Sequence, residues 1–386
     1  MDTIFKPSKP LKLILALLVA VGLAAVIAGF LTDPARTWSN VLLNNMYFLT
    51  ISIGAMLFYS IQYITGSSWS AMIQRVPLSL GAFVPPAMIL MLFLYFGLGQ
   101  IYEWAHPGIT GTDKLIAHKA PFLNVPFYMV RIIIYFGLWI PLVLLLRQYA
   151  LREDVEGGST PYAKSKHFAK VFIFIAALFF SMASIDWIMT LDPHWYSTLF
   201  GFRAMVTSIY FGVAVIVLML FILKKWGYFP NLGAAHRNDL ARYLFRFSIV
   251  FGYLWFMQFL IIWYANIPEL TVYYSPRLLG PFKYLFYAEL FMNFAIPFVV
   301  LMSDDIGRKQ PVLAGISVLL VVGLWVSLYV QIMPANFDKP VFGFIEAGMW
   351  LGYAGLFLFL AFTALGRTYL IPKNHPMLQN SIDHHL

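Results

Sequence analysis

The chain has 386 residues, with 26 Lys and Arg against 17 Asp and Glu, and is 61% hydrophobic but only 11% charged. That balance excludes an ordinary soluble globular protein. The absence of cysteine excludes disulfides, thiolate-held iron–sulfur clusters, covalent c-type haem and cysteine nucleophiles within this chain.

A hydrocarbon core about 30 Å thick takes roughly 20 apolar helical residues to cross. Runs of that kind lie at 11–32, 41–65, 78–102, 125–148, 168–191, 195–223, 240–265, 281–302, 311–332 and 341–366. They predict an all-α membrane protein of ten transmembrane helices, a single polytopic domain over 1–386. Between the runs stand turn-forming strings such as Asp33-Pro34, Gly157-Gly158-Ser159-Thr160-Pro161, Asn231-Leu232-Gly233 and Ser303-Asp304-Asp305. No alternation of polar and apolar residues suggests barrel strands. The first run exceeds a signal-peptide core, and Asp33-Pro34-Ala35-Arg36 is a poor cleavage site, so it reads as a span. The longest loops, 103–124 and 149–167, are too short to form a soluble domain.

Of the 26 basic residues, 17 fall in the N-terminus, the even-numbered loops and the C-terminus, 6 in the odd-numbered loops, and 3 (Arg131, Arg203, Arg246) inside runs. Positive charge stays cytoplasmic, which predicts both termini on that side. The net charge of +9 follows from this topology and gives little support to nucleic-acid binding. All eight histidines lie in loops, at run ends or in the C-terminal tail. No facing pair within the helices is available to a b-type haem, and no metal ligand set or phosphate-cradling glycine motif is predicted.

Charges inside a bilayer cost roughly 2.5–3.5 kcal/mol each, so each needs a partner or a use. Counting about 1.5 Å per residue from the outer end of each run, Arg131 lies about 9 Å deep in the fourth and Asp186 about 8 Å deep in the fifth. Arg203 lies about 12 Å deep in the sixth, Gln258 about 10 Å in the seventh, Glu289 about 12 Å in the eighth and Glu346 about 8 Å in the tenth. All six fall in the outer half. The fifth and sixth runs form a hairpin around Asp192-Pro193-His194, which predicts Asp186 and Arg203 at similar depth as an ion pair. That pair reads either as a lock between two helices or as a site in which Asp186 titrates or meets a ligand. Glu289, with Asn293 at i+4, reads either as a proton carrier or as a structural hydrogen-bonding group. His194 suits a proton acceptor near neutral pH, although a solvated loop histidine is the plainer reading. Arg246 reads as snorkelling to the cytoplasmic interface. Asn44, Asn45, Glu103, Asp192, Asn266 and Glu269 are placed at the outer rim. The inner half offers Thr50, Ser52, Tyr59 and Ser60, then Asp304 and Asp305, which form no complete transmembrane path.

Three sets of strings carry a resemblance: the segment from Asn44 to Thr50 (NNMYFLT), the segment from Trp69 to Pro77 (WSAMIQRVP), and the segments Ser184–Trp195 (SIDWIMTLDPHW) and Tyr253–Asn266 (YLWFMQFLIIWYAN). Together they resemble the NrfD/PsrC-like membrane subunits of bacterial alternative complex III, the quinol:cytochrome c oxidoreductase, over nearly the whole chain. The likeness is to the shorter ActF-type subunit rather than the ActC-type. It implies two four-helix bundles, spans two to five and six to nine, flanked by spans one and ten. It also implies a place in the bacterial inner membrane and a quinone or menaquinone as the small-molecule cofactor. The implied partners are a paralogous NrfD-like subunit, an iron–sulfur protein and haem c subunits that hold the redox centres, besides lipid. In that setting Asp186, His194 and Glu289 are the candidate proton acceptors, and Arg203, Arg131 and Gln258 the candidate quinone-site or ion-pair residues. An ion-coupled secondary transporter and a purely architectural subunit are the competing readings. Pro85-Pro86, Pro141 and Pro297 are scattered, without the matched interruptions of an inverted repeat.

Overall fold

The computed structural model describes residues 4–157 and 159–385. It is 82% helical, and no strand forms among the described residues. Among the described residues ten helices are long and apolar enough to cross a membrane: α1 (Lys9–Thr32), α2 (Pro34–Thr65), α3 (Arg75–Ile101), α4 (Val125–Glu156), α5 (Ser159–Leu191), α6 (Thr198–Lys225), α7 (Ala234–Ala265), α8 (Lys283–Leu301), α9 (Gln310–Ala335) and α10 (Phe344–Leu365). An antiparallel bridge between Ile4 and Tyr369 ties the two chain ends together, so both lie at one face, the terminal face. The opposite one, where the even-numbered helices begin, is the loop face.

Local chemistry sets the helix ends. Asp33 accepts the Arg36 N–H in front of Pro34, and Asn124 accepts the Phe127 N–H in front of α4. Gly66 and Gly157 close α2 and α4 with φ of 63° and 64°, where a Cβ would strain the backbone. Several helices outrun their apolar stretches. The predicted loop at 149–167 is mostly the ends of α4 and α5, because Arg152, Glu153 and their neighbours are adequate helix formers and nothing stops the helix before Gly157. Gly158 of that predicted break lies outside the described residues. In α8 a π turn at Phe291–Ala295 precedes Pro297. Pro297 brings no N–H to the carbonyl of Asn293 four residues back, and the Tyr210 hydroxyl of α6 donates to it instead at 3.1 Å.

Helices α2–α5 form one four-helix bundle and α6–α9 a second, while α1 and α10 pack on each other and against α2 and α3. The bundles meet along α2 and α6. A Cβ on Gly54 would sit 1.8 Å from the Ser208 carbonyl oxygen, and one on Gly212 would sit 2.5 Å from the Ala55 nitrogen. Backbones this close require glycine on both sides, which is how membrane helices gain dispersion contacts without a hydrophobic driving force. The apolar stretch of α2 is buried throughout, making it the axis of the molecule.

Candidate functional site

Three carboxylates are buried toward the loop face, and each meets one arginine. In the first bundle Arg131 of α4 donates from Nε to Asp186 Oδ2 of α5 at 2.7 Å, and the Tyr135 hydroxyl donates to the same oxygen at 2.5 Å. In the second bundle Arg203 of α6 donates to Glu289 of α8 at 2.5 Å, and Ser327 of α9 donates to the same carboxylate oxygen at 2.7 Å. Between α2 and α10, Arg36 forms a two-pronged pair with Glu346, to which Asn40 also donates at 3.0 Å. Pairing is what burial demands, since one unpaired charge costs several kcal/mol.

The predicted Asp186–Arg203 pair does not form. The hairpin brings the two residues to similar depth, but they belong to different bundles and each turns into its own. Glu289 and Asn293 both reach α9, one turn apart: the Asn293 amide donates to the Gly323 carbonyl at 3.0 Å, while Glu289 meets Ser327 and Arg203. Gln258 of α7 accepts from Arg203 at 3.4 Å, which gathers Arg203, Glu289 and Gln258 into one cluster. Asn44 and Asn45, expected at the rim, are fully buried within the helix packing.

Around the Arg131–Asp186 pair two polar atoms lack partners, Arg131 Nη2 and Asp186 Oδ1, both shut away from solvent. Buried polar groups are nearly always satisfied, so these orphans mark room for a water or a ligand group. One layer outside the pair lies an open crevice of about 370 Å³, within the range of ligand pockets. Its walls include Lys119, Phe122, Met189, Thr190, Trp195 and Tyr196. Two walls join it to the ion pair. Arg131 stacks over the Phe122 ring at 3.9 Å and donates to the Phe122 carbonyl at 2.8 Å, and Thr190 donates to the Asp186 carbonyl at 2.5 Å. The Arg203 cluster borders a second, smaller cavity of about 30 Å³ at the junction of the bundles, lined in part by Thr50, Thr207, Ser327 and Gln331. That is room for about two waters.

His194 belongs to none of the three buried pairs and stands exposed at the rim. It pairs with Asp113 at 3.0 Å. Glu103, Asp113 and His194 offer ligand atoms within 4.8 Å of one another, the one such group among the described residues. The α3–α4 and α5–α6 connections supply them, far apart in the chain, so no sequence spacing could announce the set. Exposed acidic groups often gather in this way without an ion. Asp113 sits below its ordinary range, chiefly because the Ile116 and Leu115 backbone N–H groups donate to it, with His194 adding to the effect.

Sequence reasoning also missed Arg277, in the segment between α7 and α8. Its guanidinium stacks on Tyr273 at 3.6 Å and donates to the carbonyls of Val330, Tyr273 and Gln331, with no carboxylate in contact among the described residues. Burial lowers its pKa. Tyr273 in turn lies flat against Trp195 at 3.8 Å, so two stacked rings separate this cation from the crevice. Comparison with protein-family models and with curated proteins finds no match to this chain.

Proposed function

We propose that this chain is a membrane subunit of a quinol:cytochrome c oxidoreductase, of the NrfD/PsrC-like kind found in alternative complex III. The observation that carries the proposal is the crevice at the loop face, whose walls bond directly to a buried Arg131–Asp186 pair with one unsatisfied donor and one unsatisfied acceptor. A quinol ring is apolar on its faces and carries hydroxyls at its edge. Phe122, Met189 and Trp195 suit the ring, and the ion pair suits the hydroxyls once a side chain of the wall turns aside. Oxidation of a quinol releases two protons and two electrons. Asp186 Oδ1 is placed to take a proton, with Arg131 and Tyr135 holding the charged form beforehand. The Arg203–Glu289–Gln258 cluster and its small cavity suit a second proton-handling station, and His194 a group at the exit. The electrons pass to iron–sulfur and haem c centres in partner subunits, since this chain has no cysteine.

The excess of Lys and Arg at the terminal face supports placing that face toward the cytoplasm and the crevice on the outer side of a bacterial inner membrane. Asp186→Asn, close in shape but unable to hold the charge, tests the site. The expected result is a loss of quinol-dependent cytochrome c reduction of about tenfold or more, in a complex that still assembles. Unchanged turnover in Asp186→Asn rules the site out.

A further inference from the structure

A fourth buried carboxylate stands at the opposite face, beyond the reach of the loop-face sites. Glu153, near the end of α4, is 1% exposed. Its one hydrogen bond is received from the Tyr63 hydroxyl of α2 at 3.0 Å, through Oε2. Arg75 of α3 is the cation nearby, but it is committed elsewhere, to Asp154 at 2.6 Å and the Ala150 carbonyl at 2.8 Å. Among the described residues no Arg or Lys pairs with Glu153, unlike Asp186, Glu289 and Glu346.

The surroundings are polar and incompletely bonded. Glu153 Oε1, Tyr59 Oη, Ser165 Oγ, Gln62 Oε1 and Arg75 Nε are all buried without a partner in hydrogen-bonding geometry. The Tyr59 and Tyr63 rings lie 4.7 Å apart, tilted by 44°, and Tyr63 meets Tyr162 of α5 at 5.4 Å. Unpartnered polar atoms in this number around one carboxyl suit a small polar chamber that holds water.

The C-terminal segment covers this chamber. His375 sits against Tyr63 and Tyr162, 4.0 Å from Glu153 Oε1 and 3.3 Å from the Gln74 amide. The Met377 N–H donates to His375 Nδ1, which leaves Nε2 to face Glu153 Oε1 and the Gln74 amide nitrogen. Further along, Ser381 donates to the Trp69 carbonyl at 2.6 Å and accepts from the Met72 N–H at 3.1 Å. Asp154 accepts the Lys373 N–H at 2.9 Å. The segment thus bridges the α2–α3 connection and the end of α4.

We propose that this chamber is a hydrated proton-exchange site on Glu153 and that the C-terminal segment around His375 is its lid. Glu153 gives its proton to a chamber water and takes one back, with Tyr63 held against the carboxyl throughout. The inference extends the proton-handling part of the function proposed above to the terminal face, but its readout needs no quinol. The test is infrared spectroscopy of the purified protein, in whatever assembly it elutes. A protonated-carboxyl C=O band that shifts in D₂O and vanishes in Glu153→Gln is expected. Removing residues 373–386 should speed that shift by about tenfold or more. If the shortened chain is not recovered, Ser381→Ala, which removes the two Ser381 bonds, serves for the same comparison in the same direction. Absence of a band that depends on Glu153 overturns the exchange site. Equal exchange rates with and without the lid contacts overturn the lid. Either result leaves the quinol reading to stand or fall on Asp186→Asn.

Discussion

Asp186 and Arg131 hold each other in an environment that tolerates neither alone. Asp186→Ala leaves the Arg131 guanidinium with the Phe122 carbonyl and ring as its company, and the expected cost is about 3–5 kcal/mol. Thermal unfolding in detergent measures it, and the pair Arg131→Met with Asp186→Leu should recover most of the loss, because an apolar replacement has no charge to desolvate. If the double variant is no better than the single, the site is not an isolated ion pair. At this scale the sequence was partly legible. Depth along each run picked out Arg131, Asp186, Arg203, Gln258, Glu289 and Glu346, because a charge inside an apolar run is visible as such. Partner choice was not legible, because it depends on which way each helix turns. Asp186 and Arg203 share a hairpin and a depth yet face different bundles. Glu153 escaped because it lies past the end of an apolar run, where a charge looks ordinary until the helix is seen to continue beneath the C-terminal segment.

At the scale of elements, the C-terminal segment should respond to pH through His375. Burial, with the neighbouring Arg75 adding to it, takes this imidazole from its usual 6.5 down to about 4. Docking therefore favours the neutral ring. Between those values the released segment binds a proton that the docked one refuses, so docking is strongest above the free value and weakens as the pH falls toward about 4. The loss is on the order of 3 kcal/mol. Glu153, Arg75, Asp154, Tyr63 and Tyr162 surround the ring and share its environment. The chain has no cysteine, so a single spin label on Asn380→Cys reports the segment cleanly. Its mobility should rise on acidification, and His375→Gln should flatten that response; a label equally mobile at every pH counts against the latch. The π turn of α8 is a second element with a definite expectation. Tyr210→Phe deprives the Asn293 carbonyl of its donor and should cost about 1–3 kcal/mol of stability. No loss in an unfolding scan would mean that another group satisfies that carbonyl.

Over the whole molecule, two bundles are joined by a glycine seam with no room for a side chain. Gly54→Ala puts a methyl group into the Ser208 backbone and should lower the unfolding temperature sharply, whereas Gly137→Ala on α4, with nothing within 4 Å, should be neutral or slightly stabilising by about 0.5–1 kcal/mol. Equal behaviour of the two variants would mean that the seam is slack. The number of helices and their bundling followed from apolar runs and from resemblance, since spans of this length announce themselves. The seam did not, because small residues are common in membrane helices and their partners lie far along the chain. The same architecture orders the polar groups: paired charges beside a crevice at the loop face, a cavity where the bundles meet, and a buried polar cluster at the terminal face. The account of that order rests on this chain sitting inside a redox assembly whose metals lie elsewhere. Gentle detergent purification through a tag on this chain, followed by optical spectra and iron analysis of what co-elutes, tests it most directly. The account predicts haem c and iron at a fixed ratio to the chain, in a fraction that reduces cytochrome c with added quinol. A colourless, metal-free protein eluting alone would contradict it.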